Sequence, residues 1–391
     1  MSKADSTTRI TELKRELGST VVIAAHHYQD PSIVDLADLV GDSYRLSVDA
    51  SRTTARHIVF CGVRFMAESA LVLAREDQNV WMPNFHAGCP MADMVSAEEA
   101  RPVLEALEAV LGEAVFPLTY MNSNVDMKAL TGEKGGAILT SGNARKVVDH
   151  YLAKGKRILF TPDKNLGANV ARDAGLSANE VLLIPRPRRG VNGSLQLTLP
   201  DEAQIKRARF FLWDGFCPIH QRMTLADAEK VRATWPGAEI HVHPECAPEV
   251  VLACDGSGST ERLLNTAKIA AAKADAKGRT LVLGTEATFV QRIARDLAHT
   301  GLEVVPLRNE FCVNMARTDL DKLLATLEAI AALEQEAPGT ASAPGTASAP
   351  GTDADSNTPA NGPTRVSVEP ALAANARLAL TRMIDITEAP K

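Results

Sequence analysis

Short apolar runs rich in Val, Ile and Leu alternate along the chain with longer stretches whose apolar positions recur every three or four residues. The short runs predict buried strands, and the longer stretches predict amphipathic helices. The strand-like runs cover residues 20–25, 57–61, 114–119, 157–161, 209–213, 239–242, 280–284 and 302–306. Strands that alternate with helices in this way predict an α/β fold, with parallel sheets covered by helices.

Two helical patterns follow the first two predicted strands. After the first strand, Ile33, Leu36, Ala37 and Val40 recur at spacings of three and four, which predicts a helix through Val40. After the second strand, residues 66–73 predict another helix. Both patterns support the alternation of strand and helix.

The chain changes character after residue 336. An Ala-Pro-Gly-Thr-Ala-Ser unit begins at residue 337 and repeats, and the low-complexity tract continues to residue 363. Such a composition buries too little apolar surface to order itself, so 337–363 is predicted to be a disordered Ala/Pro/Gly/Thr/Ser linker. Structure should resume near Arg365, because a single apolar helical stripe is formed by Leu372, Ala376, Leu380 and Met383. We expect that helix to pack on the body of the protein, and a free tail is the alternative.

Size and composition narrow the class of protein. The chain has 391 residues, which suggests two or three domains, and 45% of them are apolar, enough for sizeable cores. The net charge of −6 argues against a general nucleic-acid-binding protein. No uncharged apolar run reaches the roughly 18 residues of a membrane helix, and the N-terminus has no apolar segment typical of a signal peptide. We therefore expect a cytoplasmic protein that binds neither nucleic acid nor membrane.

The six cysteines of a cytoplasmic protein are not expected to form structural disulfides, which leaves buried thiols, a metal site or a reactive thiol. Cys89, Cys217 and Cys312 lie in sequences typical of turns, whereas Cys61 and Cys254 lie in or after apolar runs and fit a structural role. The three turn cysteines are far apart in sequence, so their spacing alone leaves the choice between a metal site and incidental thiols open.

Polar residues cluster where predicted strands end. His26 follows the first strand, Tyr120 and Asn122 follow a second, and residues 243–246 follow a third. Ligands of open α/β sheets bind beyond the carboxyl ends of the strands, so these residues predict one site built from several loops. Small polar turns that lead into helical patterns can bind carboxylates or phosphates, although each alone is equally explained as a helix N-cap; they cover residues 41–43, 140–143 and 256–260.

Several of these motifs occur together in one family. In chain order they are His26-His-Tyr-Gln29, Gly41-Asp-Ser43, Phe60-Cys-Gly-Val-Arg-Phe-Met-Ala-Glu68, Gly88-Cys-Pro-Met-Ala-Asp93, Pro162-Asp-Lys-Asn-Leu-Gly167, Gly215-Phe-Cys-Pro-Ile-His220, His243-Pro-Glu-Cys246, Gly284-Thr-Glu286 and Cys312-Val-Asn-Met315. With this set and this order, the chain from about residue 20 to residue 320 resembles the quinolinate synthase family. The set is far more specific than any one of its motifs.

The resemblance implies a fold and a cofactor. It implies three similar αβα domains with parallel sheets, arranged with pseudo-threefold symmetry around a central active site. Each domain would contribute one cysteine to a 4Fe-4S cluster, and Cys89, Cys217 and Cys312 occupy those positions. Three thiolates leave one iron without a protein ligand, and that iron can act as a Lewis acid. Cys246 matches no ligand of the family and is expected to be structural.

Together, the sequence pattern and the resemblance give expected domain boundaries. The first α/β domain is expected at 1–103, with about 306–335 and 365–391 added. The second is expected at 104–190 and the third at 191–305. The linker is expected at 337–363.

The implied reaction condenses iminoaspartate with dihydroxyacetone phosphate to quinolinate, with release of phosphate and water, in NAD biosynthesis. Iminoaspartate would come from an aspartate oxidase or dehydrogenase. By position, Tyr28 and Glu245 match residues that transfer protons, and His243 could contribute as well, since histidine titrates near neutral pH. The substrate contacts of the family fall on His26, Ser43, Tyr120, Asn122, Ser141, His243, Glu245, Ser259 and Thr260.

Departures from the family pattern and two rival functions remain. His27 stands where the family usually has Tyr or Asn, and Lys164 could either hold phosphate or cap a loop. One rival is a zinc- or iron-dependent aldolase or dehydratase that uses the same three thiolates. The other is a cluster-carrying sensor, which would need no proton donors at the positions of Tyr28 and Glu245.

Overall fold

The structure is a computed structural model that describes residues 2–336 and 363–389. The linker prediction therefore lies outside the described residues, apart from Pro363. The helices are α1 (Lys3–Leu17), α2 (Pro31–Val34), α3 (Ser43–Arg52), α4 (Arg64–Leu73), α5 (Ala97–Leu111), α6 (Val125–Glu133), α7 (Ala144–Ala153), α8 (Lys164–Asp173), α9 (Glu202–Arg207), α10 (Pro218–Gln221), α11 (Leu225–Thr234), α12 (Pro248–Ala253), α13 (Thr260–Ala271), α14 (Ala287–Leu297), α15 (Leu320–Glu336) and α16 (Pro370–Glu388).

The strands are β1 (Val21–His26), β2 (Leu39–Gly41), β3 (His57–Cys61), β4 (Asn79–Met82), β5 (Val115–Tyr120), β6 (Ala137–Leu139), β7 (Arg157–Thr161), β8 (Val181–Ile184), β9 (Arg188–Arg189), β10 (Leu195–Gln196), β11 (Phe210–Trp213), β12 (Glu239–Val242), β13 (Gly256–Ser257), β14 (Thr280–Gly284), β15 (Glu303–Pro306) and β16 (Thr364–Arg365). They form three larger sheets, with strand orders β16-β4-β3-β1-β2, β6-β5-β7-β11-β8 and β13-β12-β14-β15. Pairing within these sheets is parallel except between β16 and β4, so the predicted α/β class with parallel sheets is confirmed.

The three sheets share one connectivity. Each contains four strands in the order second, first, third, fourth: β2-β1-β3-β4, β6-β5-β7-β11 and β13-β12-β14-β15. This repeated order agrees with three similar αβα modules. The pseudo-threefold arrangement and the exact domain boundaries stay predictions.

The chain divides into two compact units, which we describe separately. The first comprises Met1–Cys89 and Cys312–Ala373, of which the structure describes all but residues 1 and 337–362. It contains the sheet around β1. Its core packs Ile10 and Leu13 of α1 and Leu323 and Leu327 of α15 against Ile23 of β1, all of them buried. Helix α1 was not predicted from the sequence.

The second unit comprises Pro90–Phe311 and Ala374–Lys391, and it contains the other two parallel sheets. Its last segment belongs to α16, which buries the predicted stripe residues Ala376, Leu380 and Met383. The domain prediction assigned this segment to the first domain, whereas here it packs on α6. A Cβ at Gly132 of α6 would lie 1.8 Å from the Asn375 carbonyl oxygen, so only glycine allows this close approach.

One predicted helix is wrong in part. The helix expected through Val40 ends at Val34, because residues 39–41 form β2 and pair with β1. The Asp38 carboxylate accepts a 2.8 Å hydrogen bond from the Ile23 backbone N–H and thereby holds the chain beside β1. Leu36 and Ala37 pack on the core of the first unit, so their apolar spacing reflects a loop that folds onto that core.

Candidate active site

In the first unit, the predicted residues His26, Tyr28 and Ser43 lie at the carboxyl end of the sheet. His26 ends β1 and pairs in register with Gly41, the last residue of β2. The backbone N–H of Tyr28 donates to His26 Nδ1 at 3.1 Å, and the two rings meet edge to face with centroids 4.6 Å apart. Because Nδ1 accepts this bond, the neutral His26 ring carries its proton on Nε2. Ser43 is the first residue of α3, directly after the N-cap Asp42.

In the second unit, the turn after β12 repeats this geometry. The backbone N–H of Glu245 donates to His243 Nδ1 at 3.4 Å, and the neutral ring therefore carries its proton on Nε2. That Nε2 lies 3.2 Å from the hydroxyl of Ser141, another predicted contact. Burial lowers the pKa of His243 to about 3, against the opposing effect of Glu245. At neutral pH His243 is thus an uncharged hydrogen-bond donor.

Glu245 forms a buried dyad with His220. A Glu245 carboxylate oxygen lies 2.6 Å from His220 Nδ1, and the other imidazole nitrogen lies 3.2 Å from Thr285 Oγ1. The His220 ring also stacks on His243, with centroids 4.5 Å apart. Burial acts to raise the pKa of Glu245, but His220 and a hydrogen bond from the Tyr120 hydroxyl oppose burial, and the net shift is downward. The carboxylate is therefore ionised and oriented.

His220 and Thr285 were missed by the sequence analysis as site residues. A signal for His220 existed, because it follows Cys217 by three residues and one helical turn places such residues on the same face. Ligand atoms of Cys217, His220 and Glu245 all lie within 4.8 Å of one another. A thiolate, an imidazole and a carboxylate at this distance form a donor set that a transition metal can use.

The environments of the thiols separate two groups of cysteines. Cys89, Cys217 and Cys312 are partly exposed and lie on loops, as predicted, and Cys254 is partly exposed as well. Burial raises the pKa of Cys61 to about 12 and of Cys254 to about 11, and it raises the pKa of Cys246 well above its ordinary value. Metal ligation requires the thiolate, so the raised pKa values make Cys61, Cys246 and Cys254 poor metal ligands.

Two side-chain amides hold the cysteine loops of the first unit. Asn84 Oδ1 accepts a 2.9 Å bond from the backbone N–H of His86, three residues before Cys89. Its Nδ2 donates at 3.1 Å to the carbonyl of Arg317, and thereby ties the Cys89 loop to the segment after Cys312. Gln29 donates to the carbonyl of Met315 in the same segment at 3.1 Å. The loops of Cys89 and Cys312 are therefore joined within this unit.

The remaining predicted contacts lie at strand ends and helix N-termini of the second unit. Asn122 Oδ1 is buried without a hydrogen-bond partner among the described residues, which fits an acceptor kept for a ligand. Ser259 is the N-cap of α13 and Thr260 its first residue. A Cβ at Gly142, beside Ser141, would lie 3.5 Å from Ser259 Oγ, so these two loops are neighbours.

Lys164 is engaged within the protein. Its Nζ lies 2.8 Å from the Asp214 carboxylate, and its backbone N–H donates to the carbonyl of Gly215 at 2.9 Å. Of the two alternatives, the structure supports loop capping.

Parallel sheets with polar strand ends, a buried acid–base dyad and a neighbouring thiol define an α/β enzyme with a site able to hold a metal. The family described as "Quinolinate synthetase A protein" matches residues 8–342, and this chain belongs to that family. The resemblance stated from the motifs is confirmed.

Three similar proteins are named quinolinate synthase. The chain is 41% identical to the quinolinate synthase of Streptomyces coelicolor over 335 residues, which are 84% of this chain and 82% of the relative. It is 38% identical to that of Bacillus pumilus over 82% of this chain and 84% of the relative. It is 35% identical to that of Bacillus subtilis over 99% of this chain and 95% of the relative.

None of the helices in residues 2–336 and 363–389 combines the length and apolar character needed to cross a membrane.

Proposed function

We propose that this enzyme condenses iminoaspartate with dihydroxyacetone phosphate to quinolinate, with release of phosphate and water, for NAD biosynthesis. One observation carries the proposal: the family match over residues 8–342 includes all three loop cysteines and every predicted contact from His26 to Thr260. The buried Glu245–His220 dyad beside Cys217 adds the acid–base group that such a condensation needs.

Cys89, Cys217 and Cys312 are the proposed ligands of a 4Fe-4S cluster. Their partial exposure and loop positions fit thiolate ligation, and the Asn84 tie between two of their loops fits a shared group. When bound, the cluster supplies an iron without a protein ligand, which acts as a Lewis acid toward a departing hydroxyl.

Glu245 is the proposed base. Its ionised carboxylate is oriented by His220 and Tyr120, so it can accept a proton from a substrate carbon or nitrogen without first losing one. His243, held neutral by burial, donates its Nε2–H to a substrate oxygen. Tyr28 is the proposed proton donor of the first unit, with its ring set by the edge-to-face contact with His26.

Hydroxyl and amide groups anchor the anionic substrates. Ser141 offers a hydrogen bond to a carboxylate, and Asn122 Oδ1 accepts one from a substrate N–H or hydroxyl. Ser259 and Thr260 lie at the N-terminus of α13, where backbone N–H groups favour phosphate or carboxylate. Ser43 lies at the equivalent end of α3. An imine of aspartate hydrolyses in water, so an aspartate oxidase or dehydrogenase is the proposed source; the cytoplasmic location stays a prediction.

Anaerobic purification with a 300–700 nm spectrum, iron and sulfide analysis, and a direct quinolinate assay tests the proposal. The expected wild type is brown, contains about four irons and four sulfides, and makes quinolinate. Cys89→Ser, Cys217→Ser and Cys312→Ser should each lose the colour, whereas Cys254→Ser, a matched thiol outside the ligand set, should keep it. A brown Cys217→Ser variant, or a brown wild type that makes no quinolinate from both substrates, would overturn the proposal.

One observation favours a second candidate. Cys217, His220 and Glu245 by themselves form a mononuclear metal set, which suits a zinc-dependent aldolase or dehydratase. A colourless protein with about one zinc, lost in His220→Ala but kept in Cys89→Ser, would favour that function.

A further inference from the structure

Helix α8 carries buried polar side chains that the functions proposed above do not use. Asp163, the N-cap of α8, is 0% exposed, and Asn165 and Asn169 in its first turns are 5% and 2% exposed. Buried polar groups cost free energy unless they are hydrogen-bonded, so their partners show what they stabilise. Each of these three side chains forms a hydrogen bond with a loop of the candidate site in the second unit.

Asp163 holds the loop of Cys217. One carboxylate oxygen accepts a 2.8 Å hydrogen bond from the backbone N–H of Leu166, which caps α8. The other oxygen accepts a 3.1 Å bond from the backbone N–H of Cys217 itself. The backbone N–H of Lys164 adds a second tie, to the carbonyl of Gly215 at 2.9 Å. The start of α8 therefore sets the position of the Cys217 backbone.

Asn169 and Asn165 hold the turn of Glu245. Asn169 Nδ2 donates to the carbonyls of Pro244 and Cys246 at 2.9 and 3.0 Å, and Asn165 Nδ2 donates to the carbonyl of Glu245 at 3.2 Å. Three consecutive carbonyls are thus bound by two amides one helical turn apart. The orientation of the Asn169 amide is determined by chemistry, because carbonyls only accept and its Oδ1 accepts from Arg172 at 2.9 Å.

We propose that α8 is the positioning element of the active site: Asp163 sets the Cys217 ligand loop, and Asn169 sets the turn that presents Glu245. The proposal rests on the proposed roles of Cys217 and Glu245. Because their ligand atoms lie within 4.8 Å of each other, one rigid helix that binds both backbones fixes the distance between metal ligand and base. Asp163 and Asn169 contact backbone groups and are positioning residues.

Two nearly isosteric substitutions test the two contacts one at a time: that of Asn169 with the Glu245 turn and that of Asp163 with the Cys217 loop. Asn169→Asp keeps the acceptor for Arg172 and places an oxygen opposite the carbonyls of Pro244 and Cys246. Asp163→Asn keeps an acceptor for Leu166, since asparagine is an equally good N-cap, and places an amide N–H opposite that of Cys217.

The matched controls make the same changes on the exposed surface. Asn192→Asp changes a residue whose Oδ1 accepts from Ser194, and Asp201→Asn changes the N-cap of α9.

The first measurement is amide hydrogen exchange of the cluster-free chain by mass spectrometry. Asn169→Asp should raise exchange at residues 245–247 about tenfold and leave residues 215–217 unchanged, because the Glu245 turn loses two of its three amide hydrogen bonds and the Cys217 loop loses none. Asp163→Asn should do the reverse, and neither control should change either segment. Unchanged exchange in both variants overturns the proposal. An equal rise in both segments also overturns it, since it would mean that α8 itself unfolds.

The second measurement uses the cluster-loaded enzyme. Asn169→Asp should lower kcat about tenfold with KM within about twofold and full iron content, because a displaced base affects the transition state more than binding. Asp163→Asn should lose iron to a chelator about tenfold faster than wild type. Normal kcat together with normal iron retention overturns the positioning roles. A wild type without iron overturns the proposed function instead, whereas the exchange pattern decides the α8 proposal in either case.

Discussion

The turns after β1 and β12 use the same backbone geometry to present different chemical groups. In both, a histidine accepts a bond at Nδ1 from the backbone N–H two residues later, and its carbonyl accepts a 3.0 Å bond from the N–H three residues later. The third residue of the turn is Tyr28 after β1 and Glu245 after β12. The shared turn orients the side chain of its third residue, and the identity of that residue determines the chemistry.

The two turns differ in how deeply they bury the side chain that they present. Tyr28 is half-buried, whereas Glu245 is 2% exposed and lies in a chain of contacts with His220 and Thr285. A phenol stays protonated near neutral pH without help, because its ordinary pKa is about 10. A carboxylate that must remain ionised inside a protein needs partners that offset the loss of water. The difference teaches that a base kept ionised inside the protein depends on a supporting network.

The largest effect is expected for Glu245→Gln. The substitution keeps the shape of the side chain but removes the proton acceptor, so kcat should fall by about 10³-fold while iron content stays normal. Quinolinate formation and iron analysis on the same anaerobic sample provide the measurement. Glu249→Gln, an exposed carboxylate on α12, is the matched control and should be fully active. Near-normal activity of Glu245→Gln would show that Glu245 is not the base.

A smaller loss is expected for Tyr28→Phe. The aromatic ring keeps its edge-to-face contact with His26, so only the proton donor is lost and kcat should fall by about 10²-fold. Tyr151→Phe is the control, since its hydroxyl bonds to the carbonyl of Gly135 and lies outside the predicted site. A larger loss for Tyr28→Phe than for Glu245→Gln would reverse the ranking of the two turns.

Thr285→Val tests the outer end of the network around Glu245. Valine has nearly the same shape as threonine but loses the oxygen 3.2 Å from His220 Nε2, so the imidazole should be less well oriented. We expect kcat to fall about threefold at unchanged KM, in line with the loss of one neutral hydrogen bond. Steady-state kinetics at saturating concentrations of both substrates measure this. Unchanged kcat would show that His220 is oriented by Glu245 and the stacked His243 alone.

The sequence was most informative about strands and their ends. Buried runs such as 157–161 and 239–242 have a length and composition that suit few other elements, and they match β7 and β12. The polar residues after such strands follow directly, which is why Tyr120 and His243 could be predicted as neighbours of a site. The false helix through Val40 arose because a loop that covers a core shows the same apolar spacing as a helix.

Contacts between distant segments could not be predicted in the same way. The His220–Glu245 dyad joins α10 to the turn after β12, and the Asn169 contacts join α8 to that turn. Both contacts depend on how helices pack beside sheets, and neither produces a periodic pattern in the sequence. The family resemblance pointed to Glu245 by position but carried no information about what keeps it ionised.

The last prediction concerns stability rather than rate: the buried turn after β12 should make stability depend on pH. Burial lowers the pKa of His243 to about 3, while in the unfolded chain it titrates at its ordinary value of 6.5. Between these values the unfolded state binds more protons than the folded state, so stability rises with pH and is lost as pH falls below 6.5. The contribution is about 2 kcal/mol between pH 7 and pH 5, at about 1.4 kcal/mol per pH unit.

Urea unfolding of wild type and His243→Gln at both pH values isolates this contribution. The wild type should lose about 2 kcal/mol more than the variant on going from pH 7 to pH 5, because all other titrating groups are common to the two proteins. His299→Gln, an exposed histidine, is the control and should behave as wild type. Equal losses in wild type and His243→Gln would mean that the imidazole of the buried turn can take up a proton in the folded state. The turn after β12 would then be as open to protonation as a solvent-exposed histidine, and the contrast with Tyr28 would reduce to the identity of the side chain.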